Sequence, residues 1–434
     1  MRQLILDWLR LGLICFGGPA AHISVMHRVA VEERHWVQEA EFLKAMNFCM
    51  LLPGPEAHQL AVWLGWRTHG VRGGLISGTL FVLPGSLIML AISWLYANTQ
   101  TVPAVQGLLL GLKCAALSVV LQAFLRLASR VLKSQFLVLL ALVSCLTSTL
   151  QLVPFPLLIA HAAVAGMLWY RFRSRTEFRA AAEVPDSTAA AEVQPRGETR
   201  RILITLCTGL LLWWLPVVCC GLLAGWSSLP VRLGLFFSRA AVLTFGGAWA
   251  VLNYVSSVVV DDFGWLTRAE MADGLGLAET TPGPLILVVQ HVGFLAGWKQ
   301  SGDWSPTYAG AAAALLTTWV TFAPSFLWIL LGAPWLNRLS QRGWLTAIMN
   351  AVSATAVGLI AALGIGLAGS TLFSEEAALP FRQFLLPVPA FGLLRPEAVL
   401  LTGLGFVLTF AFRKGLAIIL GCCASVGWLL SLLG

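Results

Sequence analysis

The sequence predicts an all-α polytopic membrane protein with two inverted-topology repeats, broken helices and about 11–13 transmembrane segments. Three observations support this fold class: the composition, the spacing of apolar runs and an internal repeat. Apolar residues make up 58% and charged residues 11% of the 434 residues, and the mean hydropathy is +0.81. A globular soluble chain carries roughly 25% charged residues. We therefore expect the lipid bilayer to surround most of this chain.

The composition also excludes several functional classes. The net charge of +8 does not indicate nucleic-acid binding, because the positive residues form short clusters between apolar runs, as in membrane-protein loops. None of the nine cysteines has C-x-x-C spacing, which favours packing over a metal or redox site. The sequence contains no phosphate loop, nucleophile elbow or haem motif. We expect no cofactor, no metal and no enzyme activity.

Thirteen apolar runs approach the length of about 20 residues that spans a bilayer. They lie near 4–27, 43–66, 73–96, 104–125, 135–153, 155–170, 202–225, 233–259, 271–297, 308–332, 345–369, 386–411 and 415–433. A polar, basic stretch with two prolines separates the sixth run from the seventh and predicts a cytoplasmic linker. The predicted domains are a first repeat (1–173), the linker (174–201), an extra transmembrane helix (202–229) and a second repeat (230–434).

A shift of 229 residues aligns 10–55 with 239–284 without a gap, and 13 of the 46 positions are identical. The matched pairs are Arg10 and Arg239, Phe16-Gly17-Gly18 and Phe245-Gly246-Gly247, Trp36 and Trp265, and Pro53-Gly54-Pro55 and Pro282-Gly283-Pro284. An odd number of helices between two repeats inverts the second against the first. The sequence therefore predicts inverted topology.

The distribution of Lys and Arg favours a cytoplasmic N-terminus. Basic residues cluster near 126–133 and in the linker, whereas the loops near 97–103 and 150–154 have no charge. The glycine pairs leave one question open. If they turn the runs at 4–27 and 233–259 into re-entrant hairpins, the number of spans falls to eleven and the sidedness has to be assigned anew.

Each Pro-Gly-Pro triplet interrupts an apolar run, where proline removes a backbone donor and clashes with the preceding turn. We expect helix breaks there, with Pro55 and Pro284 at the first position of a new helix. The open N–H groups of that helix point into the membrane, which is a geometry that binds anions. Gly17-Gly18 and Gly246-Gly247 predict a second pair of close backbone approaches. The alternative is a proline kink that only eases packing.

Three cations are candidate anion ligands. Lys113 lies about 15 Å deep in its run and attracts an anion or snorkels from a tilted helix. Arg10 and Arg239 are related by the repeat, and either coordinate the anion or lie at the headgroups.

Three further residues are candidates for proton coupling. Glu56 follows the first Pro-Gly-Pro and Glu279 precedes the second, where a carboxylate beside an anion is able to carry a proton. The alternative for Glu56 is a first-turn acid that complements the helix dipole. His22 follows the first glycine pair and relays protons or has only a packing role.

These motifs resemble those of the chromate ion transporter family in its long, two-domain form. The first half carries Phe16-Gly17-Gly18-Pro19, Trp36, Leu52-Pro53-Gly54-Pro55-Glu56 and Gly65-Trp66, and the second half carries Phe245-Gly246-Gly247, Gly264-Trp265, Thr281-Pro282-Gly283-Pro284-Leu285 and Val292-Gly293-Phe294. The resemblance covers nearly the whole chain. It implies a bacterial inner-membrane protein that exports chromate against inward proton movement and confers chromate resistance.

The substrate and the mechanism stay open at this point. Sulfate is the natural competitor of chromate, because backbone donors recognise charge and size rather than the central atom. A passive anion channel lined by the same half-helices is one alternative, and a membrane enzyme is another. The sequence does not fix the oligomeric state, and a homodimer is compatible with it.

Overall fold

The computed structural model describes residues 1–172, 198–245, 248–335, 343–373, 376–381, 384–389 and 394–433. The helices before the linker are α1 (Arg2–Ile14), α2 (Gly18–His27), α3 (Glu39–Leu51), α4 (Glu56–Thr99), α5 (Pro103–Val131), α6 (Gln135–Thr149) and α7 (Phe155–Phe172). Those after it are α8 (Glu198–Ala224), α9 (Leu229–Val242), α10 (Ala248–Ser257), α11 (Arg268–Thr280), α12 (Val288–Lys299), α13 (Pro306–Gly332), α14 (Gly343–Leu372), α15 (Pro396–Phe406) and α16 (Leu416–Leu433). Most of the predicted linker lies outside the described residues.

The prediction of an all-α polytopic membrane protein is confirmed. Six of the described helices are long and apolar enough to cross a membrane: α4, α5, α7, α8, α13 and α14. Four shorter apolar segments accompany them: Gln135–Thr149, Leu285–Lys299, Pro396–Ala411 and Leu416–Leu432. The chain is a multi-pass membrane protein.

The prediction that the apolar run near 386–411 forms one membrane-spanning segment is wrong for the first part of the run. A two-stranded antiparallel hairpin of β1 (Glu376–Phe381) and β2 (Phe384–Pro389) occupies that region, and α15 begins only at Pro396. The prolines at 387 and 389 explain the difference, because each removes a helical donor and fixes the backbone away from continued helix.

The runs at 4–27 and 233–259 do not form single spanning helices. The first divides into α1 of 13 residues and α2 of 10 residues, and the second into α9 of 14 residues and α10 of 10 residues. At 1.5 Å per residue, each piece is at most about 21 Å long, which is shorter than the ~30 Å hydrocarbon core. The chain is therefore interrupted inside both runs.

Helix α4 folds back on itself and forms two arms. His69 and Gly70 have non-helical backbone angles, with Gly70 at φ 65°. The arms touch through small residues, since the hydroxyl of Ser77 donates to the carbonyl of Ala61 over 2.7 Å. A side chain at Gly65 would overlap Ser77 and the Gly73 carbonyl. The predicted run at 73–96 thus corresponds to the second arm, whereas the run at 43–66 comprises most of α3, the first Pro-Gly-Pro loop and the beginning of the first arm.

Small residues also bring α5 and α16 into contact. A Cβ at Gly107 would lie 2.5 Å from the carbonyl oxygen of Gly427, and one at Gly111 would overlap the carbonyl of Cys423. Both helices present these residues four positions apart, which is the small-xxx-small pattern that lets membrane helices approach closely.

The two halves share one order of elements around their breaks. In each half a short helix is followed by an interruption, a second short helix, a π-helical turn (Arg28–Glu33 or Val258–Asp262), a tryptophan, a third short helix and a Pro-Gly-Pro loop. The internal repeat in the sequence therefore has a counterpart in the local structure of the two halves.

Candidate functional site

The chain is unwound at both Pro-Gly-Pro triplets. Helix α3 ends at Leu51 and α4 begins at Glu56, while α11 ends at Thr280 and a short 3-10 helix begins at Leu285. Gly54 has φ 126° and Gly283 has φ 94°, a region that favours glycine. Pro55 and Pro284 are the residues just before the new helix, one position earlier than the sequence predicts.

Each Pro-Gly-Pro loop is hydrogen-bonded to the interrupted helix pair of the opposite half. The N–H of Gly54 donates to the carbonyl of Thr244, which follows α9, over 2.8 Å. The N–H of Gly283 donates to the carbonyl of Cys15, which follows α1, also over 2.8 Å. Both pairs are related by the same shift of 229 residues. The four interruptions therefore meet in two hydrogen-bonded pairs, Gly54 with Thr244 and Gly283 with Cys15, which we call the reciprocal crossings.

The second arm of α4 and α13 complete these crossings. Gly85, next to Pro84, touches the second loop so closely that a Cβ would overlap the carbonyl oxygen of Pro282. Ser325, next to Pro324, lies at the first loop, with its Oγ 2.7 Å from where a Cβ of Gly54 would be. Each loop is thus packed against a proline-bearing helix of the other half.

The glycine N–H groups are occupied in this arrangement, and proline has none. The first intrahelical bond of α4 runs from the N–H of Gln59 to the carbonyl of Pro55, and the corresponding bond in the second half runs from Leu287 to Pro284. The N–H groups of residues 56–58 and 285–286 come before those bonds and therefore have no acceptor within their own helix. The Pro-Gly-Pro triplets therefore shape the loops, and the open donors lie just after them.

Fully buried polar side chains lie on α4 and α12, which follow the loops, and on α13. His58, Gln59, Gln290, His291 and Ser325 are fully buried. Gln59 donates from Nε2 to the Pro53 carbonyl over 2.7 Å, and Gln290 donates to the Ser86 carbonyl over 3.1 Å. Among the described residues, the hydroxyl of Ser325 has no hydrogen-bond partner. Polar atoms without partners are costly in an apolar interior, which marks this region as a candidate binding site.

Substituting Gln59→Leu is expected to destabilise the first loop, because the Pro53 carbonyl loses its donor. An unsatisfied buried carbonyl costs about 1–3 kcal/mol. We expect a lower unfolding temperature for the purified protein in detergent, together with weaker oxyanion transport. The exposed Gln38→Leu is the matched control and should leave both unchanged. Equal stability of the two variants would contradict this role of Gln59.

The structure places the predicted glycine and proton-coupling residues as follows. Gly17 and Gly18 have φ 93° and 79° and form the interruption between α1 and α2. Gly246 and Gly247 lie outside the described residues. His22 is fully buried, with its ring 5.8 Å from that of Phe81.

Glu56 is half-buried in the first turn of α4, and Glu279 is buried at the end of α11. One carboxylate oxygen of Glu279 has no hydrogen-bond partner within the described part of the chain. The two acids therefore flank the loops on either side, as the sequence predicts.

The predicted cations do not gather at the loops. Arg10 and Arg239 are exposed on α1 and α9. Lys113 lies in an ion pair, with Nζ 3.0 Å from Oδ1 of Asp273. In this arrangement Lys113 is not a free cation.

Sequence reasoning missed Asp273, although it is an acid inside the predicted run at 271–297. Asp273 is buried on α11 and also accepts a hydrogen bond from the Tyr96 hydroxyl over 3.0 Å. Asp273, Lys113 and Tyr96 line a cavity of about 770 Å³. An ionisable residue at membrane depth is a functional candidate by default, and that signal was available in the sequence.

Comparison with known proteins identifies the family to which the chain belongs. The family model described as chromate transporter matches residues 2–167 and 231–428. The protein belongs to the chromate transporter family. It is a membrane transport protein rather than an enzyme, and the resemblance inferred from the Phe-Gly-Gly and Pro-Gly-Pro motifs is confirmed.

Curated members of the chromate transporter family match most of the chain. A chromate transport protein of Pseudomonas aeruginosa is 30% identical over 431 residues, which cover 98% of this chain and 92% of the relative. A chromate transport protein of Cupriavidus metallidurans is 27% identical over 386 residues, covering 87% and 85%. A probable chromate transport protein of Synechococcus elongatus is 27% identical over 364 residues, covering 83% of both. No solved structure matches the chain.

Proposed function

We propose that this transporter exports chromate, or a related tetrahedral oxyanion such as sulfate, across the bacterial inner membrane in exchange for protons, conferring chromate resistance. Family membership supports an oxyanion substrate, since the relatives from P. aeruginosa and C. metallidurans are named chromate transport proteins. The pair of reciprocal crossings carries the proposal, because each of them joins an unwound segment of one half to an unwound segment of the other.

The crossings support an alternating-access mechanism. The loop of each half is held by a carbonyl of the other half, so a site between them belongs to both halves. In inverted-repeat transporters, one repeat rocks against the other around such a site. The repeat relation between the two hydrogen bonds supports a two-fold relation between the halves, and the extra run between the repeats supports their inversion. The clustering of Lys and Arg supports a cytoplasmic N-terminus.

The anion is bound chiefly by main-chain donors at the helix starts after the two loops, together with the Ser325 hydroxyl. The positive ends of the helix dipoles and the open N–H groups at 56–58 and 285–286 suit a doubly negative guest. Main-chain donors surround a tetrahedral dianion without the tight ion pair that would slow release. With the cell interior negative, export of a dianion is favourable by about 4.6 kcal/mol at 100 mV, at ~2.3 kcal/mol per charge.

Everted membrane vesicles from cells that express the protein test this function. We expect labelled chromate to accumulate in the vesicles, to accumulate faster when the lumen is acidic, and to be displaced by excess sulfate. Vesicles from cells with an empty vector are the control. Vesicles that contain the protein and take up no chromate would count decisively against export.

The passive channel is the competing function, and proton movement separates the two. An exchanger alkalinises an acidic lumen in proportion to the chromate that enters. A channel lets chromate follow the membrane voltage and moves no protons. Chromate flux with unchanged lumenal pH at a clamped voltage would replace the exchanger with the channel.

A further inference from the structure

We propose that Asp273 binds the proton that this transporter exchanges, that Lys113 is its counter-ion, and that the adjoining cavity conducts the proton to it. The inference rests on the proposed function and names the coupling residue that the function requires. It replaces Glu56 and Glu279 as the first candidates for that role.

The pair is buried and closely coordinated. The Nζ of Lys113 lies 3.0 Å from Oδ1 of Asp273, and the hydroxyl of Tyr96 donates to Oδ2 over 3.0 Å. The side chains of Lys113 and Asp273 retain only 12% and 9% of their accessibility. A buried ion pair is finely balanced, because desolvation of both charges offsets most of their attraction. Addition of one proton to the Asp273 carboxylate is therefore enough to break the ion pair.

The pair joins the two halves of the chain. Lys113 lies on α5, before the linker, and Asp273 lies on α11, after it. The helices approach closely there, since a Cβ at Gly276, one turn from Asp273, would lie 3.3 Å from the backbone nitrogen of Lys113. Release of this ion pair removes an electrostatic contact between the halves that rock against each other in the proposed mechanism.

The cavity provides a route for water to the pair. Its volume is about 770 Å³, and its rim includes the exposed residues Pro103 and Gln106. Polar side chains continue along its wall, namely Gln100, Glu270, Arg395, Glu397 and Ser431. A space this large with several polar partners holds water, which is the medium that delivers protons.

The other charged or titratable groups near the pair lie on α11, on α12 and at the start of α15. Glu270 of α11 has its own cation, Lys299 of α12, at 2.6 Å. His291 of α12 packs its ring against that of Tyr96 and contacts the Ser93 hydroxyl over 2.9 Å. Arg395 and Glu397, at the start of α15, are on the cavity wall. Lys113 is thus the cation in direct contact with Asp273 among the described residues.

The proton step is reversible. The Asp273 carboxylate accepts one proton from cavity water and becomes a neutral acid, which frees the Lys113 ammonium from its partner. After the halves have rearranged, the carboxylic acid returns the proton to water and the pair forms again. The repeat places Lys44 at the position equivalent to Asp273, so this acid is present in one half only. The asymmetry gives the exchanger a single proton site of this kind.

Asp273→Asn in purified full-length protein tests the assignment, because asparagine keeps the size of the side chain and cannot titrate. In proteoliposomes with a pH dye inside, we expect at least a tenfold loss of chromate-driven proton movement and loss of stimulation by an acidic lumen. Exchange of labelled for unlabelled chromate at equal pH should continue. Asp303→Asn, which removes an exposed carboxylate between α12 and α13 and outside the cavity, should behave as the unmodified protein, and Asp273→Glu should restore coupling with a shifted pH profile.

A double variant and the unmodified protein keep the test decisive. If Asp273→Asn fails to insert, the double variant Lys113→Gln with Asp273→Asn removes both charges together, which proteins tolerate better than one unpaired charge. It should exchange chromate without moving protons. Intact proton coupling in either variant overturns the assignment while the exchanger stands. Unmodified protein that transports no chromate, or no protons, overturns the proposed function as well.

Discussion

Valine in place of Gly54 or Gly283 is expected to abolish oxyanion transport, with uptake into everted vesicles reduced by about 100-fold or more. Both glycines have positive φ, which strains any residue with a branched side chain. A Cβ at Gly54 would lie 2.7 Å from the Ser325 Oγ and 2.8 Å from the Gln59 Nε2. A Cβ at Gly283 would lie 3.3 Å from Leu287 Cδ1, before the two valine methyl groups are added.

The physical reason is that these glycines hold the crossings together. Each N–H is bonded to a carbonyl of the opposite half, so a rotated backbone breaks that bond and shifts the helix start behind it. A displacement of about 1 Å at a positioned site is enough for a 100-fold loss. Membrane insertion should persist, because the apolar runs are unchanged, and immunoblots of the vesicle fraction check this.

Gly302→Val is the matched control for both variants. Gly302 also has positive φ, at 57°, but it is exposed between α12 and α13, with nothing within 4 Å of its Cβ position. This variant also places valine at a positive φ but does not touch the loops, and transport should be close to normal. Full transport by Gly54→Val and Gly283→Val would remove the loops from the site.

Gly85→Ala is the second substitution with a large expected effect, although it adds only one methyl group. Its Cβ would overlap the Pro282 carbonyl oxygen and lie 2.8 Å from Leu287 Cδ1. A backbone carbonyl cannot rotate away from the new methyl group as a flexible side chain could, so α4 and the second loop must separate. We expect chromate uptake to fall by at least about tenfold, which corresponds to about 1.4 kcal/mol.

Gly366→Ala serves as the control for that helix substitution. Gly366 is exposed on α14 with nothing within 4 Å of its Cβ position, and alanine should favour the helix by roughly 0.5–1 kcal/mol. Transport by this variant should equal that of the unmodified protein. Normal uptake by Gly85→Ala would show that the contact between α4 and Pro282 is dispensable.

Much of the candidate site was predictable from local sequence. Pro-Gly-Pro strongly disfavours a continuous helix, so the breaks at 53–55 and 282–284 were predictable from covalent geometry. The prolines at 387 and 389 offered the same kind of signal against a helix, and the apolar character of 386–411 obscured it.

Other features depended on partners distant in the sequence. Lys113 was predicted to attract an anion or to snorkel from a tilted helix, and it pairs instead with Asp273, which lies 160 residues further along. Gly54 and Gly283 were predicted to belong to the anion site, and the structure shows that their own N–H groups bond to the carbonyls of Thr244 and Cys15. Nothing in either local segment specifies such a pairing.

The sequence by itself determined that this protein lies in a membrane, that its helices break at two matching triplets, and that its halves are related. Those properties follow from composition and from the backbone limits of proline and glycine, which act over a few residues. Only the tertiary structure decided that each loop bonds to the opposite half, that Arg10 and Arg239 are exposed, and that Lys113 meets Asp273. Charges and hydrogen bonds act over a few ångströms in space, so their partners are set by helix packing rather than by sequence distance.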